Sequence, residues 1–273
     1  MTKNKTVIIA PAIKTHFWQD LHDKLSKGKM PFHLVFVGHV EPDFELPDNF
    51  THINCSLPPA HCVEVAYRYT YKHIKDAEYI VNISDDLHIS EDFVEELIGF
   101  YKDQEVKFET DFLLVGPTCL QASGEENLMA THEGGPSLLA PAFTTIENSK
   151  KIGGVDKRFH GIYWDCDRAL RTHEMGGKVV FASCQELTPV CEIEHTFGLY
   201  AKYKNVDRTL LDEIWTYGEG DDPIVCAVLD KKDEEYEKTY GRKRNNLVVK
   251  PMSVKRKVSF KEHPEKDLEK YHG

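Results

Sequence analysis

The stretch Ala77-Glu-Tyr-Ile-Val-Asn-Ile-Ser-Asp-Asp86 is a β-rich apolar run that ends in two adjacent carboxylates. We interpret 77–83 as a buried strand, so Asp85 and Asp86 follow its carboxyl end, the edge where open α/β sheets bind ligands. Adjacent carboxylates repel each other unless a cation or several donors lie between them. A hard divalent ion bridging to a diphosphate would meet this need, and a turn capped by the two aspartates is the alternative.

Apolar strands and amphipathic helices alternate on both sides of this stretch. Strands are predicted at Thr6–Ala10, Phe32–Val37, Ala77–Ile83 and Asp111–Val115, and helices at Phe17–Leu25, His61–His73 and Ser90–Tyr101. We expect the hydroxyl of Ser90 to cap the last of these helices. Such alternation is typical of parallel βαβ units, so the predicted fold class is an α/β sheet covered by helices on both faces.

The second half of the chain is less regular. Residues Gln121 to Ser149 show no periodicity, which is typical of a loop that covers a substrate. Helices are then predicted at Trp164–Glu174, Leu211–Trp215 and Asp233–Tyr240, strands at Lys178–Ala182 and Val190–Glu194, and a polar arm from Val248 to Gly273. We therefore divide the chain into a main domain, 1–200, and a helical extension with a basic tail, 201–273.

Composition and charge narrow the class of protein. With 41% apolar and 29% charged residues, the 273-residue chain is neither disordered nor collagen-like. No apolar run approaches the ~20 residues that span a bilayer, and the start lacks a signal-peptide pattern, so we expect a cytoplasmic protein. The net charge is −11, yet residues 241–273 carry +6. This basic tail, with Arg242-Lys-Arg244 and Lys255-Arg-Lys257, is solvated, docked on the acidic body, or bound to an anionic partner.

The seven cysteines are odd in number and scattered, which argues against a disulfide framework and favours buried thiols. Two spacings resemble zinc-ligand patterns: His52-x2-Cys55 with His61-Cys62, and Cys184-x6-Cys191-x3-His195. Neither contains the Cys-x2-Cys pair of structural zinc sites.

The most specific segment is Lys151-Ile-Gly-Gly-Val-Asp-Lys-Arg-Phe-His-Gly-Ile-Tyr-Trp-Asp-Cys-Asp-Arg-Ala-Leu-Arg171. Its two glycines allow a bend, and Asp165 and Asp167 then open a helix whose dipole favours ionised carboxylates. A carboxylate held ionised can accept a proton from a hydroxyl, which is the work of a general base. A local salt bridge from Asp167 to Arg171, four residues later, is the alternative role for the second carboxylate.

The order of these motifs resembles the GT-A glycosyltransferases, most of all the large inverting family 2. The resemblance spans roughly residues 6 to 200 and is strongest from 151 to 171. It implies a Rossmann-like nucleotide-diphospho-sugar transferase sheet with a helical, basic C-terminal extension. It also implies metal-dependent, inverting transfer from a nucleotide sugar, most simply a UDP-sugar, to an acceptor hydroxyl. The basic tail suggests an anionic acceptor: a glycan, a lipid-linked glycan or a modified nucleic acid.

The resemblance assigns roles to particular residues. The family's metal motif falls on Ser84-Asp85-Asp86, so Asp86 would bind Mn²⁺ or Mg²⁺, with His195 completing the metal site. The catalytic base falls on Asp165. The positions expected to contact the nucleotide sugar are Pro11, His39, Arg68 and Asp85.

Departures from the family pattern keep two alternatives open. Ser84 and Trp164 stand where the family has acidic residues, and Val37-Gly-His39 lacks the Asp that reads the base. A glycan- or nucleotide-binding module of the same fold without turnover is one alternative. A sugar-nucleotide nucleotidyltransferase is the other, although Ala10-Pro-Ala-Ile-Lys14 lacks the glycines of its phosphate loop. The sequence also lacks GxGxxG, Walker and GxSxG motifs, which argues against dehydrogenases, P-loop NTPases and α/β-hydrolases.

Overall fold

The computed structural model describes residues 5–117, 119–121, 126–127, 131–132, 135–136, 142–181, 191–193, 198–219 and 252–271. Within these ranges the helices are α1 Trp18–Leu25, α2 Pro59–His73, α3 Phe93–Phe108, α4 Ile146–Ile152, α5 Trp164–Glu174, α6 Gly198–Ile214 and α7 Glu265–Leu268. The longer strands are β1 Lys5–Pro11, β2 Phe32–Gly38, β3 Phe50–Asn54, β4 Ala77–Asn82, β6 Leu113–Gly116, β11 Ala142–Thr145, β12 Lys178–Phe181, β14 Trp215–Glu219 and β15 Met252–Arg256. The short strands are β5 Leu87–His88, β7 Cys119–Gln121, β8 Glu126–Asn127, β9 Thr131–His132, β10 Gly135–Pro136 and β13 Cys191–Ile193.

The central sheet has seven strands in the order β12-β6-β11-β4-β1-β2-β3. Strands β4, β1, β2 and β3 are parallel neighbours, whereas β11 runs antiparallel to β4 and β6. The parallel arrangement brings the carboxyl ends of β1, β2 and β4 to one edge, called the carboxyl edge below. Pro11, Gly38 and Asn82 end these three strands, so the segments that follow them meet there.

Helices cover both faces of the sheet, as the alternation predicted. Because successive strand side chains point to opposite faces, Val7 and Ile8 of β1 belong to different apolar clusters. Ile8 packs with Trp18 of α1 and the buried face of α3, while Val7 packs with the buried faces of α2 and α5. The fold class is therefore an α/β sheet with two buried cores.

The interpretation of Gln121 to Ser149 as irregular is wrong for its last part. Ala142–Thr145 is a central antiparallel strand, with Phe143 opposite both Val81 and Val115. The Oγ1 of Thr145 then accepts the backbone N–H of Asn148 at 3.1 Å and caps α4. Most of 118–141 lies outside the described residues, so its predicted role as a donor-covering loop stays a prediction.

The predicted cap at Ser90 is wrong. Helix α3 begins at Phe93, three residues later, with Asp92 at the cap position. In the described part of the chain, the buried hydroxyl of Ser90 has no hydrogen-bond partner. The edge strand β3, whose Thr51 and Asn54 are polar, was also absent from the prediction because it lacks a continuous apolar run.

Residues 215–219 and 252–271 pack against the preceding part of the chain rather than forming a free arm. Strands β14 and β15 pair antiparallel, and the fully buried indole of Trp215 donates to Asp167 Oδ1 at 2.9 Å. Arg256 makes two hydrogen bonds, of 2.9 and 2.6 Å, to Oε2 of Glu174 on α5. Residues 252–271 thus follow the docked alternative, and helix α6 ends at Ile214, just before the strand that Trp215 begins.

Three further expectations from the sequence concern the helices, the basic tail and the cysteines. The predicted helix at Asp233–Tyr240 and the basic run Arg242-Lys-Arg244 lie outside the described residues. The described helices include none with the length and apolarity needed to cross a membrane. Cys55, Cys62 and Cys166 are buried free thiols, and the Sγ atoms of the first two are 3.8 Å apart.

Candidate active site

Asp85 joins the loop after β1 to the loop after β4 at the carboxyl edge. Its Oδ2 accepts the backbone N–H groups of Ile13 at 2.7 Å and Lys14 at 2.6 Å, and the indole N–H of Trp18 at 3.2 Å. Burial raises the pKa of this carboxyl, although the three donors favour its ionised form. Asp85 therefore shapes the edge, and direct contact with a nucleotide sugar stays a prediction.

Asp86 is paired with a cation supplied by the chain itself. Lys14 Nζ forms a salt bridge with one oxygen of this buried carboxylate, and the hydroxyl of Ser84 donates to the other. Hydrogen-bond donors and one ammonium group, from the loops after β1 and β4 and from Trp18, therefore surround the two adjacent aspartates. They relieve the repulsion between the carboxylates without a metal ion. No local pattern links Lys14 to Asp86, which lies 72 positions away, so the sequence alone does not predict this pair.

The carboxylate oxygens of Asp86, beside Lys14, are ligands of the type that hard divalent cations prefer. In the described residues no group of three or more His, Cys, Asp or Glu side chains is placed to hold a metal. His195, the second expected ligand, lies outside the described residues. A cation at Asp86 would have to displace the ammonium group of Lys14.

Pro11 and His39 lie at the carboxyl edge with Asp85. The backbone N–H of Ala12 donates to Val37 O at 2.9 Å, which holds the start of the β1 loop against the end of β2. A Cβ on Gly38 would lie only 1.7 Å from Ala12 O, so this approach requires glycine. His39 follows that glycine and is exposed.

Arg68 lies on α2, away from these loops along the helix. It is nine residues after Pro59, which begins the helix near the carboxyl edge, and therefore about 14 Å along the axis. Its Nε donates to Glu64 Oε1 at 2.7 Å and its Nη2 to His263 O at 2.7 Å. The structure thus shows Arg68 bridging α2 to the C-terminal segment, and its contact with a nucleotide stays a prediction.

Asp165 lies in the first turn of α5 and is only 7% exposed. Its Oδ1 accepts the backbone N–H of Cys166 at 2.9 Å. Burial raises the pKa of its carboxyl to about 6. Such a group is ionised at neutral pH, yet it binds a proton more readily than an ordinary aspartate, which is the property of an efficient general base.

Asp167, two residues later, has a structural role. It accepts the Nε–H of Arg171 at 2.9 Å in addition to the indole N–H of Trp215. Arg171 also donates to Gly154 O at 2.6 Å and to Ile152 O. The salt bridge predicted from the i,i+4 spacing is confirmed, and of the two carboxylates that open α5, this one is committed to holding the helix in place.

The Gly-Gly bend is explained by a residue that sequence reasoning missed, Glu64 of α2. Its Oε2 accepts the backbone N–H of Val155 at 2.8 Å. A Cβ on Gly154 would lie 1.9 Å from that oxygen, so a larger residue would clash there. Gly153 has φ +87°, a left-handed backbone conformation that favours glycine. The contact joins residues 91 positions apart, and no local pattern signals it.

Asp156, at the end of the same bend, is fully buried. Although burial acts in the opposite direction, hydrogen bonds from Arg158 and the backbone N–H of Lys261 lower the pKa of its carboxyl. The distances are 2.7 Å from Arg158 Nη2 to Oδ2 and 2.9 Å from Lys261 N to the same oxygen. Asp156 therefore ties the segment before α5 to the C-terminal extension.

Comparison with known proteins gives the fold a name. No protein-family model matches the chain, and no curated protein matches it. The solved structure of S. aureus TarS, residues 1–349, in complex with UDP-GlcNAc is 10% identical with TM-score 0.50, covering 76% of this chain and 65% of that chain. A further structure of TarS 1–349 gives 12% identity, TM-score 0.43, and coverage of 71% and 58%.

The mannosyltransferase PcManGT from Pyrobaculum calidifontis, in complex with GDP-Man and Mn²⁺, gives 15% identity, TM-score 0.47, and coverage of 73% and 59%. The chain thus spans less than two thirds of the length of each of these structures. Its similarity to the UDP-GlcNAc complex of TarS shows that it has the GT-A glycosyltransferase fold.

Proposed function

We propose that this chain transfers a sugar, with inversion, from a nucleotide-sugar donor to the hydroxyl of an acceptor. The observation that carries the proposal is Asp165, a buried carboxyl in the first turn of α5 with a pKa of about 6. The GT-A fold supplies the context, because its carboxyl edge brings together the segments expected to hold the donor. A UDP-sugar is the first donor to test, since UDP-GlcNAc is the ligand in the TarS complex.

The proposed reaction uses few groups of the chain. The acceptor oxygen attacks the anomeric carbon on the face opposite the nucleotide diphosphate, and the bond from that carbon to the diphosphate oxygen breaks. Asp165 takes the acceptor's proton as the new bond forms. The electron pair leaves with the nucleotide diphosphate, so no covalent intermediate on the chain is required.

We further propose that Asp86 and His195 hold a divalent cation, Mn²⁺ or Mg²⁺. When bound, such an ion neutralises charge that develops on the leaving diphosphate. Lys14 balances Asp86 in the structure, so the ammonium group and the cation compete for one carboxylate.

Removing that competitor provides a test of the metal site. Lys14→Ala is expected to tighten Mn²⁺ binding about tenfold, because the carboxylate of Asp86 loses its resident positive charge. Isothermal titration of Mn²⁺ into the wild type and the variant measures this change. Lys24→Ala, which removes a half-exposed lysine paired with Asp20, is the matched control and should bind like the wild type. Unchanged Mn²⁺ affinity in Lys14→Ala would contradict a cation site at Asp86.

The pKa of Asp165 predicts the pH dependence of turnover. A general base acts only when ionised, so the rate should be nearly constant above pH 7, half-maximal at about pH 6, and fall about tenfold per pH unit below about pH 5. Nucleotide diphosphate release, measured from pH 4.5 to 8.5 under donor saturation, gives the profile. A rate that stays constant down to pH 4.5 would show that a group with an ordinary or lower pKa serves as the base.

The acceptor is proposed to be anionic: a glycan, a lipid-linked glycan or a modified nucleic acid. The support is the charge of +6 over residues 241–273, in which Lys255 and Lys261 are exposed in the described part. Anionic groups would be attracted to this surface, and the attraction would weaken with added salt.

A thermal-shift panel tests the donor part of the proposal. It contains UDP-GlcNAc, UDP-glucose, GDP-mannose, and CDP- and dTDP-linked sugars, each with Mn²⁺ and with EDTA. Ligand at a hundred times its Kd stabilises a protein by about 2.7 kcal/mol, which is readily measured as a higher melting temperature. We expect one nucleotide class to give a shift that EDTA reduces. If no nucleotide sugar shifts the melting temperature, the proposed function is wrong.

A further inference from the structure

The loop that leads into α5, residues 160–163, is held by a carboxylate from another part of the chain. Asp207 of α6 is fully buried, and one of its oxygens accepts the N–H of Gly161 at 2.7 Å and of Ile162 at 2.9 Å. The N–H of His160 reaches the other oxygen at 3.2 Å. Three consecutive backbone donors thus converge on one carboxylate, in the manner of an anion-binding nest.

The same stretch of α6 contacts this loop through two more side chains. The ring of Tyr203 stacks on His160 with centroids 5.8 Å apart, and a Cβ on Gly161 would lie 2.6 Å from that ring. The guanidinium of Arg208 lies 5.7 Å from the ring centroid of Tyr163. Three residues of α6, Tyr203, Asp207 and Arg208, therefore contact the loop at each of its four positions.

The loop needs such support because of its last residue. Tyr163 has φ +61°, a left-handed conformation that non-glycine residues rarely adopt, and it occupies the cap position of α5 without a side-chain cap bond. Strained residues of this kind persist only where their surroundings determine them, and they concentrate at functional sites. Asp165 follows two positions later, so the placement of the loop sets the placement of its carboxyl group.

We infer that Asp207 is a positioning residue for the transfer reaction, because it fixes the loop that presents Asp165 to the acceptor. This inference rests on the proposed function. Since a displacement of about 1 Å of a reacting group can lower a rate about a hundredfold, a looser loop should reduce turnover without changing the donor site. Asp207 touches no reacting group itself, and it acts through the backbone of 160–162.

The decisive variant is Asp207→Asn, which keeps the shape of the side chain but replaces one acceptor oxygen with an N–H donor that faces the loop's own donors. Glu213→Gln is the matched control, since it removes one negative charge from an exposed position of the same helix. The readout is kcat and KM for hydrolysis of whichever nucleotide sugar stabilises the wild type, with amide hydrogen exchange of the peptide that covers 159–165.

We expect Asp207→Asn to lower kcat at least thirtyfold, to leave the donor KM within threefold, and to speed exchange at 160–162, with Glu213→Gln like the wild type. The inference alone is overturned if the wild type turns over donor and Asp207→Asn keeps kcat within threefold, or if exchange at 160–162 is unchanged. An inactive wild type with every donor overturns the proposed function together with this inference.

A second variant keeps the test decisive if Asp207→Asn does not fold. Gly161→Ala pushes the loop away from α6, because its methyl group would meet the ring of Tyr203. We expect the same pattern, with lower kcat and an unchanged donor KM. A Gly161→Ala protein with wild-type kcat and faster exchange at 160–162 would show that the loop position does not matter for turnover.

Discussion

Asp165→Asn is expected to slow sugar transfer by about 10²–10⁴-fold while leaving the affinity for the donor unchanged. Asparagine keeps the shape of the side chain and the hydrogen bond from the N–H of Cys166, but it cannot take a proton from the acceptor. Turnover is measured as nucleotide diphosphate release under donor saturation, and donor binding by isothermal titration. A variant that retains more than a tenth of wild-type turnover would remove Asp165 from the role of base.

The same substitution should stabilise the protein at neutral pH. Because the folded pKa of Asp165 is raised from 3.8 to about 6, this group favours folding fully below pH 4, and that contribution is lost as pH rises through 6. A neutral asparagine avoids the loss, so the free energy of unfolding of Asp165→Asn should exceed that of the wild type by about 3 kcal/mol at pH 8 and should differ little from it at pH 4. Urea unfolding at the two pH values tests the sign.

Asp167→Asn, in the same helical turn, is the matched control. Asp167 accepts hydrogen bonds from Arg171 and Trp215, so its replacement should lower the free energy of unfolding rather than raise it. If Asp165→Asn raises the free energy of unfolding and Asp167→Asn lowers it, the carboxyl of Asp165 costs stability, as expected of a catalytic group, and the carboxyl of Asp167 provides it. Equal destabilisation would mean that both carboxyls are structural.

Trp215→Ala is expected to lower the free energy of unfolding by about 3–5 kcal/mol. The side chain is fully buried in the apolar cluster that includes α2 and α5, and its indole N–H donates to Asp167. The variant loses the buried surface, leaves a cavity and removes one donor from a buried carboxylate. Urea unfolding followed by circular dichroism measures the change.

Two companion variants divide this effect into its parts. Trp215→Phe keeps most of the volume and loses the N–H, so it should cost about 1–3 kcal/mol. Val206→Ala changes a side chain that is 61% exposed on α6 and should stay within about 0.5 kcal/mol of the wild type. A loss below 1 kcal/mol for Trp215→Ala would show that the extension does not pack on α5 as described.

The parts of the fold that local patterns encode were predictable. The apolar runs of β1, β2 and β4 and the start of α5 at Trp164 are short-range signals, and the structure confirms them. Strand β11 is only four residues long and pairs antiparallel inside a parallel sheet, so its neighbours in space rather than its sequence make it a strand. Trp215 continues the periodicity of α6, yet pairing with Arg256 starts a strand there.

In the candidate site, too, residues in local motifs were predictable from the sequence, and their long-range partners were not. Asp86 could be picked out because it adjoins Asp85, and Asp165 because it opens a helix with Asp167 in the segment that carries the family resemblance. Their partners could not, since Lys14 reaches Asp86 across 72 positions and Asp207 reaches the loop before α5 across 45 to 47. Burial, which gives Asp165 its raised pKa, is likewise a property of the packed fold and not of the motif.

The most direct test of the central claim is the anomeric configuration of the sugar that the chain releases from its donor. With water as the acceptor, proton NMR follows an α-linked nucleotide sugar and identifies the first free sugar formed before mutarotation. Inverting transfer should release the β-anomer, and Asp165→Asn should release it at least about a hundredfold more slowly than the wild type. Release of the α-anomer, or no release from any donor in the panel, would contradict an inverting transferase that uses Asp165 as its base.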